Sequence, residues 1–160
     1  MGTITILCIG KLKEAYWRDA MAEYTKRLSG FCKFNVVELD ETKASDHPSE
    51  KEIATVIEKE GDRILAKIPT NALVIALCIE GKSWSSEELA SYIATQSVNG
   101  VSHIVFLIGG SYGLSPRVKQ QAQIKLSFSK MTFPHQLFRV LLTEQIYRAF
   151  QINNQSPYHK

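Results

Sequence analysis

The chain has 160 residues, 44% of them hydrophobic, which suits one globular domain spanning residues 1–160 that buries its own core and leaves no room for a second. The net charge of +3 conceals a split: residues 101–160 hold seven cations against the single acid Glu144, a net of +6, and the first hundred residues carry −3. The three cysteines, Cys8, Cys32 and Cys78, are odd in number and far apart, which argues against a disulfide framework or a metal knuckle and for small buried hydrophobes.

The first element is the apolar run 3–9 (TITILCI). It is too short to span a membrane and lacks the charged start and small-residue cleavage site of a secretory signal, so a cytoplasmic protein without membrane association is expected. A helix follows, with Trp17, Ala20, Met21, Tyr24 and Leu28 on one face. A strand over 34–39 (FNVVEL) leads into 40–50 (DETKASDHPSE), a polar, proline-containing surface loop long enough to be mobile. Ser49 and Glu52 form a capping-box pair that opens a second helix, whose Ile53, Val56, Ile57, Ile64, Leu65 and Ile68 share a side. After a strand over 72–79, Ser85 and Glu88 repeat the capping signal, and Trp84 can close over Leu89. Strands over 103–108 and 124–128 come next, and the last helix covers about 135–151.

Strands apolar on both faces that alternate with helices predict an α/β fold, a mostly parallel sheet flanked by helices. Ligands in such sheets bind at the carboxyl ends of strands, so the loops that follow strands are searched first. Directly after 103–108 comes Gly109-Gly110-Ser111-Tyr112-Gly113-Leu114, then Ser115-Pro116, a helix start. Glycines there let a backbone approach a ligand, although the spacing is neither GxGxxG nor a P-loop, and a plain tight turn explains it equally well. The segment Leu126 to His135 (LSFSKMTFPH) leaves a strand and enters a helix. It lines a pocket with its backbone, or it is an ordinary connection in which Thr132 caps the helix and Pro134 sits in the first turn.

The last helix is apolar around much of its circumference, so it is either central or packed on a second subunit, which points to a homodimer. Its Arg139 and Arg148 are candidates for RNA phosphate or cross-subunit contacts, and Glu144 with Arg148 also forms an i,i+4 pair. The chain closes on Tyr158-His159-Lys160, an aromatic, an imidazole and a cation side by side. A base-handling site needs such groups, and a frayed terminus needs none of them. The basic C-terminal stretch reads as a face for a polyanion or as solvated helix faces.

GGSYGL, LSFSKMTFPHQ, RVLLTEQIYRAF and the terminal PYHK, in this order, resemble the RlmH-type enzymes, the SPOUT-class methyltransferases of large-subunit ribosomal RNA. The likeness extends to the opening TILCIGKLKE and to GDRILAKI. It implies a C-terminal portion threaded into a trefoil knot, S-adenosyl-L-methionine as cofactor, no metal, and a homodimer. The implied reaction is methylation of N3 of a pseudouridine in 23S rRNA within the assembled ribosome. By residue match the implied cofactor site is Leu77, Gly109, Phe128, Ser129, Lys130, Met131, Thr132 and Phe133. Tyr158, His159 and Arg139 are the candidate catalytic residues: if the tail folds over the partner subunit's site, Tyr158 and His159 hold the flipped base and assist proton loss. A ribosome-binding assembly protein without catalysis would carry a damaged glycine loop, and here the loop is intact.

Overall fold

A computed structural model describes residues 2–160. Five strands, β1 (Thr3–Ile9), β2 (Lys33–Leu39), β3 (Leu73–Ser83), β4 (His103–Ile108) and β5 (Ile124–Ser127), form one sheet in the order β2-β1-β4-β3-β5. All four pairings are parallel. The helices are α1 (Ala15–Leu28), α2 (Glu50–Lys67), α3 (Ser86–Val98), α4 (Pro116–Gln121) and α5 (His135–Asn153). The α/β sheet expected from the sequence is the observed one.

The two-residue period of the strands sorts side chains between two cores. Ile4, Ile6, Cys8, Ile75, Ile104 and Phe106 meet Leu28 of α1, Leu89 and Ile93 of α3, and Leu142, Ile146 and Ala149 of α5. On the opposite face Leu7, Ile9, Val74, Val105 and Leu107 meet Ile64 of α2 and Val118 of α4. Three helices therefore cover one face and two the other. Helix α5 lies between α1 and α3, which accounts for most of its apolar circumference.

The sequence ends β3 at Ile79, where the apolar run stops. The strand instead continues to Ser83, because Lys82 and Ser83 pair with Leu126 and Ser127 of β5 after a register shift. Between the two registers the chain bulges, and a Cβ on Gly81 would sit 2.6 Å from the Lys125 carbonyl carbon, so only glycine fits. The connection 40–49 is also less free than its composition suggests. Glu60 of α2 accepts from Thr42 N–H, Glu52 accepts from Ser45 N–H, and Arg63 donates to Asp40 O and Thr42 Oγ1.

The capping expectations hold for Ser49, Ser85 and Ser115, whose hydroxyls accept from Glu52, Glu88 and Val118 N–H. They fail at Thr132: α5 starts at His135 behind Pro134, and no side chain caps it. No described helix is long and apolar enough to cross a membrane.

Candidate functional site

A cleft of about 410 Å³ opens at the carboxyl ends of β3, β4 and β5. Its walls come from three stretches far apart in sequence: the β3 bulge, the glycine loop after β4, and the connection from β5 into α5. The parallel sheet aligns these strand ends, which is why the loops converge.

The glycine loop is a tight turn. Gly113 N–H donates to Gly110 O at 3.1 Å, and Gly113 has φ of +86°, a conformation that favours glycine. The turn folds back so closely that a Cβ on Gly109 would lie 2.6 Å from the Gly113 carbonyl carbon and 2.9 Å from Leu114 N. A Cβ on Gly110 would meet Glu60 Oε1 at 2.9 Å. The tight-turn reading of this motif holds, and the backbone of that turn forms the cleft wall.

Phe128 stands edge-on to Phe138 of α5 with ring centroids 4.8 Å apart, and Phe133 stacks on the same ring at 6.3 Å. Ser129 Oγ accepts from Met131 N–H, and Ser127 Oγ donates to Ser129 O, so short side-chain bonds shape the connection. Leu77, Gly109, Phe128, Ser129, Met131, Thr132 and Phe133 all line the cleft. Lys130 belongs to the same connection but is exposed and outside the lining. Met131 is 75% exposed and forms part of the rim.

Tyr158, His159 and Arg139 lie outside the cleft lining. The tail packs on the outer side of its own chain, where Tyr158 O–H donates to Glu144 and Arg148 covers the Tyr158 ring at 4.9 Å. Burial, and then the bond to Glu144, push the Tyr158 phenol upward, so it stays protonated. His159 Nε2 is 2.6 Å from Glu87 Oε1, and its Nδ1 is 3.1 Å from Arg148 Nη1. Arg139 is 1% exposed, paired with Glu38 at 2.5 Å and donating to Gly10 O, with its Nε left without a partner. It is a buried residue of this chain, not a cation on its surface.

Several cleft residues carried no sequence signal strong enough to single them out as part of a site. Cys78, Ile79 and Glu80 enter through the bulge, and Lys119 crosses from α4 to pair with Glu80 at 2.5 Å. His135 and Phe138 enter from the first turn of α5. The motif LSFSKMTFPHQ contained His135, but a first-turn position reads as structural. No group of His, Cys, Asp and Glu among the described residues has metal-holding geometry.

A family model described as "Predicted SPOUT methyltransferase" matches residues 2–159. The protein named "Ribosomal RNA large subunit methyltransferase H" from Bifidobacterium animalis subsp. lactis (strain AD011) is 56% identical over 157 residues, 98% of this chain and 99% of its own. Proteins of the same name from Clostridium novyi (strain NT), 56% identical, and Bacillus pumilus (strain SAFR-032), 54% identical, match with the same coverage. A solved structure, "The structure of a probable methylase family protein from Haemophilus influenzae Rd KW20", superposes with a TM-score of 0.55 at 14% identity, covering 98% of this chain and 70% of that one. That last likeness speaks for the fold alone. With a full-length family match and relatives above half identity, the chain belongs to the SPOUT methyltransferase family, of the RlmH type.

Proposed function

We propose that this protein is an S-adenosyl-L-methionine-dependent enzyme that methylates N3 of a pseudouridine in 23S rRNA, as a cytoplasmic homodimer acting on the assembled ribosome. The observation that carries the reading is the cleft. Seven residues singled out for a cofactor converge there from β3, the glycine loop and the β5–α5 connection. The names of the full-length relatives support rRNA as the substrate. The C-terminal half, with β5 laid outside β3 and α5 passed back between α1 and α3, is in this reading threaded as a trefoil knot.

The donor set suits the cofactor. Leu77, Leu126, Phe128 and Phe138 provide apolar walls for an adenine ring. Gly109, where no Cβ fits, brings backbone polar groups to the ring edge, as does the chain around Met131. When bound, the cofactor supplies an electrophilic methyl group. The protein's own work is to align a ring nitrogen with that methyl group, exclude water and take up a proton. Tyr158 and His159, seated outside their own cleft, hold the base over the cleft of the partner copy. Leu137, Val140 and Leu141 of α5 remain half-buried in the single chain and provide the surface against which that copy packs.

Mass spectrometry of 23S rRNA from cells with and without the gene tests the assignment. Loss of a single methyl mark is expected, and an unchanged modification map overturns it. Calorimetry with S-adenosylhomocysteine and with ATP tests the cleft: binding of the first and not of the second is expected.

A further inference from the structure

The cleft holds five titratable side chains, Cys78, Glu80, Tyr112, Lys119 and His135. Glu80 and Lys119 are bound to each other, and that pairing holds the Glu80 carboxyl below its usual range. Burial raises the Cys78 thiol. His135 alone offers an unengaged base, because its ring makes no hydrogen bond to any described residue. Its Nε2 stands 3.8 Å from where a Gly10 Cβ would be, which sets the ring between the cleft and the end of β1.

The surroundings keep this imidazole neutral. It is half-buried at the amino end of α5, where helix N–H groups disfavour a cation. Burial first, and the Arg139 guanidinium one turn along the same helix second, lower its pKa, with Glu41 from the connection after β2 opposing them. Glu38 of β2 is committed to Arg139. Across the cleft, the Lys119 and Glu80 charges offset one another.

The tail histidine differs. Arginine can only donate, so His159 Nδ1 accepts from Arg148, and His159 Nε2–H donates to Glu87. Both of its nitrogens are committed in this arrangement.

We propose that His135 accepts the proton released when the target ring nitrogen is methylated. The inference rests on the methyltransfer reading given above. The ring nitrogen forms its bond to the methyl carbon while the sulfur–carbon bond breaks and leaves its electron pair on sulfur. The N–H proton passes to His135 and then to solvent. Arg139 acts through His135 as a positioning residue: its fixed charge keeps the imidazole ready and drives the proton off after each turnover.

Single-turnover methyl transfer on ribosomal subunits lacking the mark, measured against pH, tests this. In the wild type the rate rises with pH and levels off at a midpoint below the ordinary histidine value of about 6.5. H135Q is expected to lose that limb and about 100-fold in rate, typical of a removed general base. Imidazole added to H135A restores part of the rate. Calorimetric affinity of H135Q for S-adenosylhomocysteine stays within about threefold of wild type, which a merely structural role would not predict. NMR titration of the His135 ring in the unmutated protein gives a readout independent of folding in any variant, and a ring protonated at pH 7 overturns the proposal. Wild-type rate and pH profile in H135Q also overturn it while leaving the methyltransfer reading intact. A wild type that neither binds S-adenosylhomocysteine nor transfers methyl overturns both.

Discussion

Arg139 shows how far a residue's place decides its meaning. In sequence it is a cation on a helix of a basic stretch. In the fold it is 1% exposed and held by Glu38, whose side chain is 35% exposed, and by Gly10 O. It joins α5 to the ends of β1 and β2, one turn along the helix from His135. Breaking such a pair by removing one partner is costly, because the other charge is stranded. R139M is expected to lose about 3 kcal/mol in urea unfolding, the low end for a buried pair because Glu38 keeps some water. The double variant E38Q/R139M recovers part of that loss, and equal losses in the two variants would refute the coupling. Glu60 is the second such residue, 3% exposed, with Oε1 unpartnered against Gly110. Burial pushes its carboxyl upward. The folded state therefore binds this proton more tightly than the unfolded chain does. Its stabilising contribution is complete below the ordinary glutamate value of about 4.3 and is lost as pH rises through the raised folded value. E60Q should gain stability relative to wild type as pH climbs from about 4 to 7, read as a growing difference in Tm. A constant difference would refute this.

Among the elements, the glycine loop and α4 form one device. Ser115 is buried and caps α4, and a Cβ on Gly61 of α2 would stand 2.7 Å from Ser115 Oγ, so α2 approaches the loop only because it has glycine there. A helix of six residues has little stability of its own. S115A should cost about 1–2 kcal/mol of global stability in denaturant unfolding, the range for a lost N-cap. The loop's other end is set by Gly109, whose added Cβ would strike the backbone of Gly113 and Leu114. A flexible side chain can move aside, but a backbone turn cannot without opening the cleft wall. G109A is expected to weaken S-adenosylhomocysteine binding at least tenfold in calorimetry, about 1.4 kcal/mol, with the protein still folded. Unchanged affinity would remove the glycine loop from the site.

Over the whole molecule, the charge split of the sequence largely closes on itself. Arg117 pairs with Glu58 and Asp62, Lys119 with Glu80, and Arg139 with Glu38, so C-terminal cations meet N-terminal acids across the fold. Arg148 is taken by Glu144. Four of the seven cations are thus engaged internally, and Lys125, Lys130 and Lys160 form no ion pair among the described residues. Only three cations of this stretch are thus left for phosphate, and the whole chain carries a net charge of only +3, so its non-specific grip on RNA is modest, since that grip scales with the phosphates neutralised. Methylation of intact ribosomal subunits should exceed that of a protein-free RNA hairpin by at least about tenfold at physiological salt. Equal rates would contradict recognition of a shaped particle.

By itself the sequence determined the fold class, because strands apolar on both faces that alternate with helices call for a mostly parallel sheet covered on each side. It also determined three helix starts, where Ser49, Ser85 and Ser115 supply a local hydrogen bond that needs no distant partner. The order of the motifs pointed to the family and to most of the cleft. Only the tertiary structure decided what depends on residues far apart in the chain. Polar residues 80–83 become strand because β5 lies beside them, and the 40–49 connection is pinned because α2 holds Glu52, Glu60 and Arg63 beneath it. His135 gains its free ring at the cleft wall, and Arg139 its burial, because α5 returns across the ends of β1 and β2. Local pattern specifies what local energy can hold; a base, an ion pair or a cleft requires partners that only the folded chain brings within reach.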